Sequence, residues 1–210
     1  MSGIIAQNVG RPSGLIKAAG GGGGTWVEIK SITASSSSTI SFVDGTSDVV
    51  LDSTYPIYCF RLINIHPSTT ASFTFNMSTD SGSNYNVTKT TTYFRAYHDE
   101  AGGGGVLAYD APVNLAQSTA FQDLTADTVT DDSDSGISGF IHLFNPSSTT
   151  FTKLFMANIN SIKDATNNEG KNSFSAGYGN TTSAVDAIQF KMDSGNMDSG
   201  KIKLFGIKDS

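Results

Sequence analysis

From Thr25 onward the chain reads as short apolar runs separated by turn signals. TWVEIKSIT (25–33) comes first, and STISFVDG (38–45) closes on an Asp-Gly turn. PIYCFRLINIHPS (56–68) is nearly continuous in apolar residues and predicts a strand buried on both faces or crossing the core. ASFTFNMSTDSG (71–82) alternates with period two, so Phe73, Phe75 and Met77 point one way and Ser72, Thr74 and Asn76 the other. TKTTTYFRAY (88–97) is a further strand, ending in the glycine-rich HDEAGGGG. VLAYDAPVNLAQSTAFQDL (106–124) is the least strand-like region. It predicts either a short helix near Leu115 to Leu124 or a long loop with a strand inside.

After the acidic DTVTDDSDSG (127–136), expected as an exposed connection, the runs resume. GFIHLFNPSS and FTKLFMANINSI predict a hairpin, and NSFSAGYG, AVDAIQFKM and GKIKLFGIK predict three closing strands. Many short strands with frequent turns and no long amphipathic helix predict an all-β fold. The expected form is an antiparallel β-sandwich, jelly-roll-like, over residues 25–210. His66-Pro67-Ser68-Thr69-Thr70 and Asn145-Pro146-Ser147-Ser148-Thr149-Thr150 both separate apolar runs and read as related turns between paired strands.

Residues 1–24 have a different pattern. Ile4, Ile5, Val9, Leu15 and Ile16 are scattered among polar positions, Arg11-Pro12 favours an extended or turn conformation, and Gly20 to Gly24 follow. The expectation is an extended N-terminal anchoring arm on a glycine hinge, with Ile4, Ile5, Val9, Arg11, Pro12, Leu15, Ile16 and Lys17 as partner-binding residues. Arg11 and Lys17, its only charges, would pair with acidic groups of the partner.

Composition narrows the function classes. Among 210 residues, 38% are hydrophobic but only 15% are charged, against about 25% in typical soluble domains. Ser and Thr take the place of charges, which suits strands better than exposed helix faces. The net charge of −6 and the lack of any basic run argue against nucleic acid or an anionic membrane as partner. No apolar stretch approaches the ~20 residues that span a bilayer, and the N-terminus lacks a secretory-signal pattern. The lone Cys59 excludes an intrachain disulfide and reads as a small buried hydrophobe, in keeping with synthesis in a reducing cytosol.

No catalytic pattern emerges. His66 and His142 sit at the ends of apolar runs and read as structural, while His98 with Asp99 and Glu100 opens a glycine loop. The G-x-S-x-G elbow is absent, and neither glycine run continues into the Lys-Ser/Thr of a phosphate loop. Asp131, Asp132 and Asp134 alternate as calcium ligands do, but without the closing Glu of an EF-hand loop; a solvated acidic loop is the default. Asn76, Asn86 and Asn180 fit the glycosylation pattern, as chance allows in so Ser/Thr-rich a chain. Tyr93, Tyr97, Tyr109 and Tyr178 lie in or near expected loops, which leaves a sugar-binding face open. No catalytic residue, metal ligand or cofactor is therefore assigned.

IIAQNVGRPSGLIKAAGGG at the start, IHPSTTASFTFNMSTDSGSNY in the middle and SAGYGNTTSAVDAIQFKMDSGNMDSGKIKLFGIK at the end together resemble virion structural proteins of tailed bacteriophages, particularly marine ones. The resemblance covers most of the chain, weakly over 102–135. It implies a non-enzymatic β-sandwich made in the host cytoplasm and displayed on the virion. The expected role is a capsid decoration protein, with a tail fibre or tail appendage subunit as the alternative. Expected partners are a major capsid or tail protein and further copies of the chain, a trimer among the options. A host surface glycan is an additional ligand for the appendage reading.

Overall fold

The computed structural model describes residues 26–103, 105–163 and 169–209. The predicted arm, residues 1–24, lies outside the described residues. The apolar runs become β1 (Trp26–Thr33), β2 (Ile40–Val43), β3 (Ile57–Pro67), β4 (Phe73–Ser78) and β5 (Lys89–Asp99). They continue with β6 (Val106–Tyr109), β7 (Gln122–Asp123), β8 (Ile137–Phe144) and β9 (Lys153–Lys163). The last are β10 (Glu169–Gly179), β11 (Ala187–Met192) and β12 (Met197–Ile207).

These strands form two antiparallel sheets. The large one has eight strands in the order β1-β12-β3-β8-β9-β10-β5-β6, and the small one has four in the order β2-β11-β4-β7. Early strands pair with late ones: β1 and β3 flank β12, while β2 and β4 flank β11. β8 then adds to β3 in one sheet and β7 to β4 in the other. Beyond β8, the strands β9, β10, β5 and β6 extend the large sheet.

Phenylalanines join the layers. The Phe42 ring of the small sheet lies 5.3 Å from Phe60 of the large sheet, and Phe60 lies 5.5 Å from Phe190. Phe75 meets Phe155 edge-on at 4.9 Å. Each such fully buried ring stabilises the fold by about 1.5–3 kcal/mol relative to exposure, so this seam holds the sheets face to face. The expected all-β sandwich is what forms.

Between the two readings of 106–124 the structure takes the long loop with a strand inside, and residues 115–124 form no helix. The segment runs as β6, a 3-10 turn at Ala111–Val113 and the short β7, because Gln122 and Asp123 pair with Phe75 and Thr74 of β4. Three local expectations are corrected. β3 is not buried on both faces throughout: Tyr58, Phe60 and Leu62 face the core, while Arg61 and Ile63 are exposed. The acidic connection is not wholly exposed. Val129 is buried and exchanges backbone hydrogen bonds with Ala71. Finally, the two Pro-Ser-Thr segments are not equivalent. The first carries the chain from β3 in the large sheet to β4 in the small one, and the second closes the β8–β9 hairpin.

Candidate functional site

The outer surfaces of the two sheets differ in chemistry. In β11, Gln189 and Lys191 alternate with the buried Ile188 and Phe190, and Gln189 Nε2 donates to Ser41 of β2 at 2.9 Å. In β4 the polar row faces outward too, yet all six residues are buried, because the chain between β4 and β7 covers them. There Asn76 Nδ2 donates to the carbonyls of Tyr85 at 2.6 Å and Thr119 at 3.0 Å. Asn76 is fully buried, so the first glycosylation match is closed to a glycan in the folded chain.

The large sheet turns apolar side chains to the outside instead. On its extension Phe94 sits between Tyr109 and Phe174 in the ladder, and the Phe94 and Phe174 rings stack at 4.8 Å. Leu107 lies opposite Ala96 on the same face and is 76% exposed; Leu154 and Met156 continue the row on β9. At the other end Trp26 meets Phe205 at 5.9 Å and His142 at 6.1 Å, and His142 lies 5.0 Å from Phe140. The Arg61 guanidinium lies 5.0 Å over the Trp26 ring. Burial, with the Arg61 charge second, pushes the His142 pKa down, so the imidazole joins this surface uncharged. The stripe runs across the sheet from Trp26 at one edge strand to Leu107 at the other. Single exposed apolar residues are ordinary on a protein surface, whereas a contiguous patch marks an interaction site.

Beyond Phe155 and Ile159 of β9, polar side chains on β10 and β5 replace the phenylalanine seam on the inner side. Arg95 of β5 pairs with Asp110 at 2.8 Å and with Asp127; Lys163 of β9 reaches Asp127 at 3.6 Å and Glu169 at 3.4 Å. The buried Lys171 amine of β10 lies 3.7 Å from Asp127, and burial lowers its pKa to about 7. This network clamps the connection that carries Asp110 and Asp127 onto the extended sheet. Asp123, in the same connection, is half-buried, and desolvation raises its pKa while it accepts from the Thr125 and Ala126 amides.

Two further buried lysines sit on the same inner side. Lys89 donates to Asn76 Oδ1 at 2.5 Å and to the Val87 carbonyl at 2.8 Å. Burial alone pulls its pKa down to about 7. Lys153 donates to the carbonyls of Phe151 at 2.6 Å and Thr181 at 3.4 Å, and burial again lowers its pKa.

At one end of the large sheet, where β3, β8, β9, β10 and β5 present their tips, lies an open polar cleft of about 830 Å³. Asn64, His66, Tyr97, Ser138, Asn160 and Asn172 are among its lining. Its His66 Nε2 and Nδ1 lie 2.9 Å from the Asp132 carbonyl and the Asp198 carboxylate. Burial lowers the His66 pKa, but these partners outweigh it and the net shift is upward.

No protein family and no curated protein matches this chain.

The sequence-predicted site residues fare unevenly. Ile4, Ile5, Val9, Arg11, Pro12, Leu15, Ile16 and Lys17 lie outside the described residues. Asp131 accepts from the Thr70 hydroxyl at 2.8 Å. Among the described residues no three His, Cys, Asp or Glu side chains converge as a metal site, the 131–134 set included. His142 lies within β8 and not at its end. Of the tyrosines expected near loops, Tyr93 is fully buried within β5 and donates to Ser173 Oγ at 2.6 Å, and Tyr97 and Tyr178 also lie within strands. The outward stripe was missed because alternation shows that two faces exist but not which one the second sheet covers. Its one legible signal was in β9, which carries apolar residues in both alternating rows, Leu154 and Met156 in one and Phe155 and Ile159 in the other.

Proposed function

We propose that this chain is a non-enzymatic structural protein of a tailed-phage virion. In this reading it decorates the capsid, anchored by residues 1–24 while the β-body faces outward. The strand pairing is the observation that carries the reading. With β5, β6, β9 and β10 set aside as insertions, the remaining eight strands pair first with eighth, second with seventh, third with eighth and sixth, and fourth with seventh and fifth. That nesting supports reading the body as a jelly roll, two Greek keys in facing sheets, an architecture used in viral capsid and lectin domains. The fold alone does not carry a function; the resemblance of the chain's beginning, middle and end to virion proteins supplies the virion context.

Two features support display. The described body begins at Trp26 on an outermost strand, so the preceding segment joins it at a sheet edge. An extended segment reaches about 3.3–3.6 Å per residue, enough for 24 residues to reach across a neighbouring subunit. Spaced apolar residues such as Ile4, Ile5, Leu15 and Ile16 would dock in grooves of a capsid protein, and many copies would turn modest contacts into avidity.

The polar cleft favours one alternative, a tail appendage subunit that binds a host glycan. Amide, hydroxyl and imidazole groups of Asn160, Asn172, Tyr97 and His66 suit a polyhydroxylated ligand.

Deleting residues 1–24 tests the proposal. Loss of incorporation into particles, with the β-body still folded, is expected; normal incorporation of the shortened chain would refute anchoring. Reproducible binding of the chain on a glycan array would move the reading to the appendage.

A further inference from the structure

We infer that the outward face of the eight-stranded sheet packs against the same face of a second copy of this chain. This goes beyond the proposed function and does not rest on it.

Area is the first argument. Strands about 4.8 Å apart and residues rising about 3.4 Å each give a sheet of eight strands, with the 11-residue β9 and β10 at its centre, a face of order 1,000 Å². A stable association buries about 800 Å² on each partner. The other sheet offers no comparable surface, since its outward positions are polar or already covered.

Charge is the second. No Asp, Glu, Lys or Arg stands among the outward residues of β8, β9, β10, β5 and β6, although the chain as a whole carries −6. A copy approaching these five strands meets no like charge, and an oppositely charged partner would find nothing on them to recognise. Charges gather toward β1, where Lys203 Nζ lies 2.9 Å from Glu28 and Arg61 lies over the Trp26 ring.

Self-complementarity is the third. Asn172 Nδ2 donates to Asn158 Oδ1 at 2.9 Å and to Asn160 Oδ1 at 2.8 Å, which places an amide cluster beside the Phe94–Phe174 stack. Each amide both donates and accepts. Across a two-fold axis such a cluster can pair with its own image while the aromatic pair meets apolar surface, as an isologous contact requires.

Sedimentation of the full-length chain tests this. The wild type should sediment as an oligomer at micromolar concentration. Leu107→Glu with Met156→Glu, at exposed positions, should weaken association by about a hundredfold or more, because a charge would be buried without a partner. Its circular dichroism should stay unchanged. A monomeric wild type would overturn the inference, as would a folded double variant that associates as before. Should the double variant fail to fold, oxidative cross-linking decides. Phe174→Cys should form a disulfide-linked dimer, while Ser41→Cys on the opposite sheet should not. The native Cys59 is buried and does not compete. Equal cross-linking at both positions, or none at Phe174→Cys, would overturn the inference.

Discussion

Lys89 of the large sheet donates a hydrogen bond to Asn76 of the small one, Nζ to Oδ1 at 2.5 Å, with both side chains fully buried. The contact ties the β5 extension to the sandwich proper. Among the described residues no carboxylate pairs with the amine, so the site favours a neutral lysine. Burial holds its pKa near 7, against 10.5 for a free side chain. Between those values the unfolded chain binds more protons than the folded one. Stability therefore rises with pH across that window, by up to about 1.4 kcal/mol per pH unit for this group. Lys89→Met should flatten this part of the profile. Urea unfolding of the two proteins at pH 7 and pH 9 measures it, and parallel profiles would contradict the assignment.

Asp127 is shared by Arg95, Lys163 and Lys171. Replacing it with Asn keeps the shape but removes the carboxylate that Arg95, Lys163 and Lys171 share. The expected loss is about 2–4 kcal/mol, moderated because part of the network reaches solvent. Thermal unfolding reads the loss. Hydrogen exchange should show the 110–130 connection opening before the phenylalanine seam does.

Gly177 lies near the end of β10, paired with Thr91 of β5. A Cβ there would come within 2.4 Å of the Thr90 carbonyl oxygen and 2.9 Å of the Thr91 Cα. Backbone atoms cannot step aside as a flexible side chain can. Gly177→Ala should cost about 1–3 kcal/mol through overpacking, measured as a lowered unfolding midpoint with an unchanged denaturant slope.

Cys59 is fully buried and burial pushes its thiol pKa up to about 11. The native protein should leave a thiol reagent unreacted at pH 8 and react fully in urea, since the thiolate is the reactive form. Rapid labelling of the native chain would show that β3 opens locally.

Strand content was legible from local sequence alone. Turn chemistry at Asp44-Gly45 and the alternation in ASFTFNMS and AIQFKM are local, and the strands form where they are written. The fully buried Cys59 was legible for the same reason: residue type and neighbourhood suffice. Pairing was not legible. β1 lies beside β12 across nearly the whole chain, and nothing local in TWVEIKSIT names GKIKLFGIK as its partner. Tertiary structure also decided what each face means. Phe73 and Phe174 both belong to alternating runs, yet Phe73 is fully buried because it faces the other sheet, and Phe174 is 38% exposed because it faces away from it. Likewise Lys89, Lys153 and Lys171 read as ordinary surface cations in the sequence. Folding places all three inside, since β5, β9 and β10 present alternate residues inward whatever their polarity. Asn76 and the Val87 carbonyl then meet Lys89, the Phe151 and Thr181 carbonyls meet Lys153, and Asp127 meets Lys171.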